Sequence, residues 1–331
     1  MSPATPSRPE LVEAAEHRIL GAGARYTPPE IWERGGVEEE LARSLWLAMG
    51  FPHVPDDEAS LTDRDLDALC VARELLTAGS LDAGTLVRQT RVMSQALSTV
   101  ASAHAEALVP GGDGPGLLAG LVDGGDDPMP LLDQLLSYLY RRHLLAAVER
   151  LVIDPGPDGV AQPPTVVGFA DLTDFTATAA AATEEELTVL VDGFASGAAD
   201  LVAEAGGRVV KLIGDEVMFQ VADPRRAAAL ALDLVGRGAG GTAVHVGMAR
   251  GPVVVHHGDL FGSTVNTASR LSDLARPGTV LVDGALAEAL GDEPGVLLRR
   301  TRSRPLKGVG HVDVHVLRRA GGGEDRPVGP A

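Results

Sequence analysis

Two aspartates at the ends of apolar segments are the first candidates for chemistry in this sequence. Asp171 closes the run Val166–Leu172, and Asp215 lies in the middle of a second apolar stretch, Arg208–Val221. If the two segments pair as strands, both carboxylates point at one place. Two carboxylates that share metal ions suit Mg²⁺, which keeps coordination positions open for phosphate oxygens. Two such ions about 4 Å apart activate an attacking hydroxyl and stabilise a leaving phosphate oxygen.

A short helix and a late lysine add groups of the kind that bind phosphate. Asn266 and Arg270 are four residues apart and therefore share one helix face. Arg270 suits stabilisation of charge on a phosphoryl group, and Asn266 suits orientation of a sugar oxygen. Lys307 stands beside flexible glycines, within reach of terminal phosphates. Taken singly, the aspartates are typical of turns and caps and the other three of solvated surfaces, so the prediction depends on the whole set.

The segment around Asp215 predicts two strands joined by a tight turn. Gly214 supplies a backbone that takes positive φ without strain. Lys211 lies inside the first strand among Val and Leu side chains, and a buried ammonium is costly unless it meets a partner. We therefore expect Lys211 to be buried and to face an acidic group.

The elements that must position these residues belong to an α+β half, residues 165–318. Apolar runs with strand character alternate there with helical patterns, and we expect a largely antiparallel sheet with covering helices. Besides the hairpin, we predict strands over 166–172, 243–248, 253–256, 279–282 and 312–317, and helices after the Thr183–Glu186 capping box, over 224–235 and over 266–275.

The other half predicts an all-helical regulatory or dimerisation domain over residues 1–152. Apolar residues recur at helical spacing, and a Thr27–Glu30 capping box precedes one short helix. Residues 153–164 are rich in proline and glycine and are typical of a linker, and 319–331 are expected to be disordered. The helices are predicted over residues 9–22, 38–49, 62–78, 82–108 and 130–152.

Composition limits the classes of function. The 331 residues favour two domains, and the net charge of −18 argues against a nucleic-acid partner. Only one cysteine occurs, so no intramolecular disulfide is possible. No signal peptide and no run of about 18 apolar residues is visible, so the expected location is the cytoplasm, with no membrane partner.

Five motifs in a consistent order make residues 165–318 similar to the catalytic domain of the class III nucleotidyl cyclases, the adenylyl and guanylyl cyclase family. That resemblance implies a ferredoxin-like catalytic domain. The motifs are Phe169-Ala-Asp-Leu-Thr-Asp-Phe175, Lys211-Leu-Ile-Gly-Asp215, Asp259-Leu-Phe-Gly262, Val265-Asn-Thr-Ala-Ser-Arg270 and Leu306-Lys-Gly308.

The resemblance implies that ribose 3′-hydroxyl attacks the α-phosphate, giving cyclic nucleotide and pyrophosphate. It assigns the purine to Lys211 and Asp259. A lysine that donates to adenine N1 and an aspartate that accepts from the 6-amino group predict ATP as the substrate. The resemblance places two Mg²⁺ or Mn²⁺ ions at Asp171, Leu172 and Asp215, the transition-state groups at Asn266 and Arg270, and a phosphate contact at Lys307.

In the family each site is built across a dimer interface, one subunit giving the metal aspartates and the other the purine, Asn and Arg residues. A chain that holds all of them is expected to form a symmetric homodimer. One position departs from some members, because Gly251-Pro-Val253 has no arginine where those cyclases bind phosphate. Arg250 and Lys307 are the two candidates to replace it.

The helical half resembles the regulatory domain of soluble actinobacterial adenylyl cyclases, including a mycobacterial pH-responsive one. That likeness rests on Tyr26-Thr-Pro-Pro-Glu-Ile31 and Leu61-Thr-Asp-Arg-Asp-Leu66. Histidine is the side chain type that ordinarily changes charge near neutrality, so the histidines of this half allow a response to acidity. They are His17, His53, His104 and His143.

Three other readings remain open on the sequence. The first is a cyclase fold without activity that serves as an ATP sensor or dimer scaffold. The second is a diguanylate cyclase, since Ile213-Gly-Asp-Glu-Val217 comes close to the signature loop of that related family. The third is a DNA-binding regulator with a nucleotide-binding tail, against which the acidic charge counts.

Overall fold

The computed structural model describes residues 8–21, 23–107, 129–153, 163–173, 175, 179, 182–301 and 303–321. They divide into two compact units, with the boundary between Leu145 and Ala146. Most of the predicted linker, 154–162, and the tail from residue 322 onward lie outside the described residues.

The first unit is helical. Each of the five predicted helical segments is found, and each end lies within two residues of the predicted one. The buried residues of this unit include Ile31, Leu45 and Ala72, which lie on three different helices. The helices are α1 (Arg8–Leu20), α2 (Pro28–Gly35), α3 (Glu39–Ala48), α4 (Asp63–Thr77), α5 (Ala83–Ala107) and α6 (Met129–Ile153), of which α6 continues past the unit boundary.

Local hydrogen bonds explain where α2 and α4 begin. Glu30 accepts a hydrogen bond from the Thr27 amide at 3.0 Å, as the predicted capping box requires. Asp65 accepts in the same way from the Thr62 amide at 2.7 Å. These bonds satisfy donors that the first turn of a helix leaves without an intrahelical partner.

The second unit is a βαββαβ core with further strands. Its elements are β1 (Thr165–Leu172), α7 (Glu184–Glu204), β2 (Arg208–Ile213), β3 (Glu216–Val221), α8 (Pro224–Arg237), β4 (Val244–Gly251), β5 (Val254–His256), β6 (Asp259–Phe261), α9 (Ser263–Leu274), β7 (Val280–Asp283), α10 (Gly284–Leu290), β8 (Val296–Arg300), β9 (Arg304–Leu306), β10 (Gly310–Val312) and β11 (Val314–Arg319).

The main sheet has seven strands in the order β2-β3-β1-β4-β7-β11-β8. Every pairing in it is antiparallel except β4 with β7. The β5–β6 and β9–β10 hairpins form two separate small sheets. The predicted α+β class, with a largely antiparallel, ferredoxin-like sheet, is confirmed.

The two faces of the sheet are covered differently. Helices α7, α8 and α10 pack on one face around Phe219 and Met248. Helix α9 packs on the other, against Phe169, Met218 and Ala249. Because side chains alternate along a strand, Asp171 of β1 projects on the α9 face together with Phe169.

Two glycines permit close contacts in this sheet. A Cβ on Gly247 of β4 would lie 2.0 Å from the Ser272 amide nitrogen of α9. A Cβ on Gly168 of β1 would lie 2.1 Å from the Phe219 ring. Real Cβ contacts of this kind do not occur, so both positions require glycine as the structure stands.

The expectation that Lys211 would be buried is wrong. Strand β2 is an edge strand of the sheet, and the Lys211 side chain is 42 % exposed. The neighbouring Leu212 and Ile213 are also exposed. The apolar run therefore belongs to an exposed edge strand, and not to a buried central strand.

The sequence patterns did not indicate β6, α10, β8, β9 or β10, which are at most seven residues long. Such lengths are too short for a periodicity to be recognised. Across the described ranges of the chain, no helix is both long and apolar enough to cross a lipid bilayer.

Candidate active site

The structure brings Asp171 and Asp215 together at one end of the sheet. Strands β1 and β3 pair so that Asp171 lies opposite Glu216, and Asp215 is the turn residue before it. Gly214 has φ +64°, as the predicted turn requires. Burial, the charge of Asp215 and a hydrogen bond with Asp215 raise the pKa of Asp171 to about 7. The two carboxyl groups are therefore close neighbours at this end of the sheet.

These groups fit a divalent cation. A cation can replace the proton that the raised pKa of Asp171 favours, and oxygen donors of this kind are the ligands that Mg²⁺ prefers. The Leu172 side chain is buried, so this residue offers only its backbone carbonyl. Within the described parts of the chain, no group of three or more His, Cys, Asp or Glu is arranged around a metal position. Two carboxylates and a carbonyl leave the other coordination positions for water or phosphate.

Two residues at this end of the sheet were not among the predicted site residues. Burial and the charges of Asp171, Asp273 and Asp215 raise the pKa of Glu216 to about 7. The Nε2 atom of His245 lies 3.4 Å from Asp171 Oδ2, and burial lowers the pKa of His245. Glu216 follows Asp215 directly and was visible in the sequence, whereas His245 emerges only from the β1–β4 register.

The two predicted purine-binding residues meet across neighbouring elements. The Lys211 ammonium of β2 lies 2.6 Å from Asp259 Oδ2 at the start of β6. Burial alone would raise the pKa of Asp259, but hydrogen bonds from Lys211 and from the Leu260 amide lower it. Arg208 donates to the Gly258 carbonyl at 3.0 Å and so ties the β5–β6 turn to β2. Both members of the pair keep exposed surface from which to contact a ligand.

The predicted phosphate and ribose residues line one shallow cavity. Asn266 and Arg270 of α9 and Lys307 of the β9–β10 turn surround a volume of about 310 Å³. Ser269, which was not predicted, lines it as well. Arg270 Nη1 lies 2.8 Å from Asp273 Oδ2, one turn along the helix. The arrangement offers two positive charges and one amide to an anionic, hydroxylated ligand.

The two candidates for the missing arginine lie in different places. Lys307 lines the cavity with Asn266 and Arg270. Arg250 pairs with Val166 in the β1–β4 register, so its side chain projects on the opposite sheet face from α9. There its charge acts on Asp283, the residue that caps α10. Of these two candidates, Lys307 and not Arg250 lines a cavity with the α9 residues.

Family models match both halves of the chain. Residues 161–319 match the adenylate and guanylate cyclase catalytic domain. Residues 4–116 match the adenylate cyclase regulatory domain.

Similar proteins extend over most of the sequence. An adenylate cyclase of Streptomyces coelicolor is 35 % identical over 97 % of this chain and 93 % of its own. An adenylate cyclase of Streptomyces griseus is 36 % identical over 86 % of this chain and 73 % of its own. A pH-sensitive adenylate cyclase of Mycobacterium tuberculosis is 32 % identical over 87 % of this chain and 76 % of its own. Among solved structures, the adenylyl cyclase CyaB from P. aeruginosa aligns with a TM-score of 0.40 at 20 % identity, over 50 % of this chain and 97 % of that one.

Proposed function

Because this chain belongs to the adenylate and guanylate cyclase family and is an adenylate cyclase, we propose that it makes 3′,5′-cyclic AMP from ATP by two-metal-ion catalysis at a homodimer interface. The observation that carries the choice of ATP is the 2.6 Å ion pair of Lys211 and Asp259. A fixed donor beside a fixed acceptor matches the N1 and 6-amino groups of adenine. Guanine presents the opposite donor and acceptor pattern at these two positions.

The reaction is an intramolecular displacement at phosphorus. The ribose 3′-oxygen forms a bond to the α-phosphorus, and the bond from that phosphorus to the α,β-bridging oxygen breaks. The electron pair of the broken bond leaves with pyrophosphate, and the hydroxyl proton passes to solvent. Most of the catalytic effect in such a transfer comes from positioning and from electrostatic stabilisation.

Each of the candidate site residues has a separate role in this reaction. Asp171, the Leu172 carbonyl and Asp215 would hold two Mg²⁺ or Mn²⁺ ions, which when bound supply Lewis-acid activation of the hydroxyl and neutralise phosphate charge. Asn266 orients the ribose, and Arg270 stabilises the charge that develops on the transferring phosphoryl group. Lys307 holds the terminal phosphates as a point charge.

The homodimer is supported by an apolar surface around the purine-binding pair. Leu212 and Ile213 of β2 and Val254 and Phe261 of the β5–β6 hairpin are all exposed in this single chain. A second copy that packs on this surface would remove it from water, and a two-fold axis would complete two equivalent sites. Each site would take its metal carboxylates from one subunit and its purine, Asn and Arg groups from the other.

Regulation is assigned to residues 1–152, preceding a catalytic domain at 165–318. Support comes from the regulatory-domain match over 4–116 and from the name of the pH-sensitive mycobacterial relative. The helical domain restrains the catalytic dimer until a signal, such as acidity, repositions it. Deletion of residues 1–150 is expected to change the pH dependence of activity, and an unchanged activity at every pH would refute this part.

The first test is cyclic-nucleotide production by the purified chain with Mn²⁺, using ATP and GTP in parallel. Asp215→Ala serves as the inactive comparison, and sedimentation of both proteins reports the oligomeric state. Cyclic AMP from the unsubstituted chain alone supports the cyclase. If ATP binds but no cyclic AMP forms, even from the chain that lacks residues 1–150, the silent sensor replaces it.

A further inference from the structure

Asp273 occupies an unusual place beside the predicted transition-state arginine. It accepts a hydrogen bond from Arg270 Nη1 at 2.8 Å, and both side chains are about half exposed. The two residues line a second concavity of about 490 Å³ together with Lys307 and Ser303. The ion pair therefore lies on the side of α9 that faces Lys307.

The backbone that carries Asp273 is held close to the sheet. The preceding residue, Ser272, is buried, and its hydroxyl donates to the Phe169 carbonyl at 3.4 Å. Its amide nitrogen lies against Gly247 of β4. Because the backbone of this turn packs directly against β1 and β4, the position from which the Asp273 carboxylate projects is set by the sheet.

Arg270 needs a partner held in this way. A free arginine side chain loses rotamer entropy when it is held in one conformation. The guanidinium has five N–H donors, and the bond to Asp273 uses one at Nη1. The remaining donors stay available to phosphate oxygens while the plane of the group is already set.

We propose that Asp273 is a positioning residue that orients the Arg270 guanidinium for the α-phosphate of the nucleotide. The inference rests on the proposed function, since it presupposes that Arg270 acts on a phosphoryl group. In this proposal Asp273 acts on the substrate through Arg270 and does not itself touch it. It differs in this from Asp171, whose carboxylate belongs to the cation site.

The test compares Asp273→Asn with the unsubstituted chain at saturating Mn²⁺. Loss of a half-exposed ion pair predicts a kcat about three- to fivefold lower, with KM for ATP within about twofold. Binding of a fluorescent N-methylanthraniloyl ATP is expected to stay unchanged. Asp273→Glu, which retains the carboxylate, should recover part of the loss.

A matched control and a second background separate positioning from general damage. Asp233 pairs with Arg319 at 2.6 Å in another partly exposed ion pair, between α8 and β11, so Asp233→Asn removes the same charge elsewhere and should leave kcat unchanged. In an Arg270→Lys background the effect of Asp273→Asn should shrink, because lysine lacks the planar fork that Asp273 orients.

Three results would overturn the inference. They are an unchanged kcat in Asp273→Asn, an increased kcat, which would mean that Asp273 restrains Arg270 away from substrate, and an equal loss in the Arg270→Lys background. A chain that makes no cyclic AMP before any substitution instead refutes the proposed function. The two failures are therefore distinguishable.

Discussion

Replacing Gly247 by alanine tests whether the position of α9 controls catalysis. The added methyl carbon would lie 2.0 Å from Ser272 N, 2.5 Å from Leu271 C and 2.6 Å from Ala268 O. All three are backbone atoms of one helix, so no side-chain rotation relieves the contact. Since carbon contacts are relaxed at about 3.5 Å, α9 must retreat by about 1.5 Å.

That displacement carries Asn266 and Arg270 with it. A misplacement of about 1 Å costs about 100-fold in rate when groups must be aligned on a reacting atom, so kcat is expected to fall by about that factor. Overpacking typically costs about 1–3 kcal/mol of the free energy of unfolding. For a domain of this size, each kcal/mol lowers the thermal midpoint by about 2–4 °C.

The assay measures cyclic AMP formation at saturating ATP together with thermal unfolding. Gly236→Ala is the matched control, because this exposed glycine of α8 has nothing within 4 Å of an added Cβ. It should leave kcat unchanged and stabilise the helix by about 0.5–1 kcal/mol. A folded Gly247→Ala protein with kcat within twofold of the original would show that the argument from helix position is mistaken.

Three further outcomes are expected. Asp259→Asn should lower kcat/KM for ATP about tenfold or more and bring it nearer to the value for GTP, because a neutral amide loses the pairing with Lys211; an unchanged ATP-to-GTP ratio would contradict the assignment. The pKa values of Asp171 and Glu216 are both raised to about 7, so the metal-free fold is more stable when these two groups are protonated. This contribution to the free energy of unfolding is complete below the unfolded pKa values of the two groups and is lost as the pH rises through 7. The thermal midpoint without metal should therefore fall from about pH 5 to about pH 8, and Mg²⁺ should restore it most at the higher pH; a rise with pH would refute the raised pKa values of Asp171 and Glu216. Lys307→Ala should raise KM for ATP about tenfold through loss of a charged contact, whereas Arg250→Met should lower the thermal midpoint and spare KM; the reverse pattern would favour Arg250 as the phosphate ligand.

Local geometry explains which features the sequence could predict. Asn266 and Arg270 require only that residues four apart share a helix face, and the turn before Asp215 requires only a glycine with positive φ. The fold class followed from the hairpin turn at Gly214 and from the family resemblance, because an alternation of strands and helices by itself favours a parallel sheet.

Features that depend on distant parts of the chain could not be predicted in this way. His245 joins the carboxylates only through the register of β1 with β4. Asp273 is one of 46 acidic residues until the packing of α9 places it beside Arg270 and near Asp171. The prediction that Lys211 is buried was wrong because an apolar edge strand can have the same amino-acid composition as a central strand.

The fit of Phe219 over Gly168 has a consequence for how the chain folds. The ring occupies the space that any side chain at Gly168 would need, and the two residues are direct partners in the β1–β3 register. A slip of one residue would turn every side chain of β1 to the wrong face and set the ring against a bulkier neighbour. The same register places Asp171 opposite Glu216. A chain with the wrong β1–β3 register would therefore be destabilised during folding by a steric clash inside the buried sheet. This clash acts before a nucleotide or a metal ion can bind at the carboxylates.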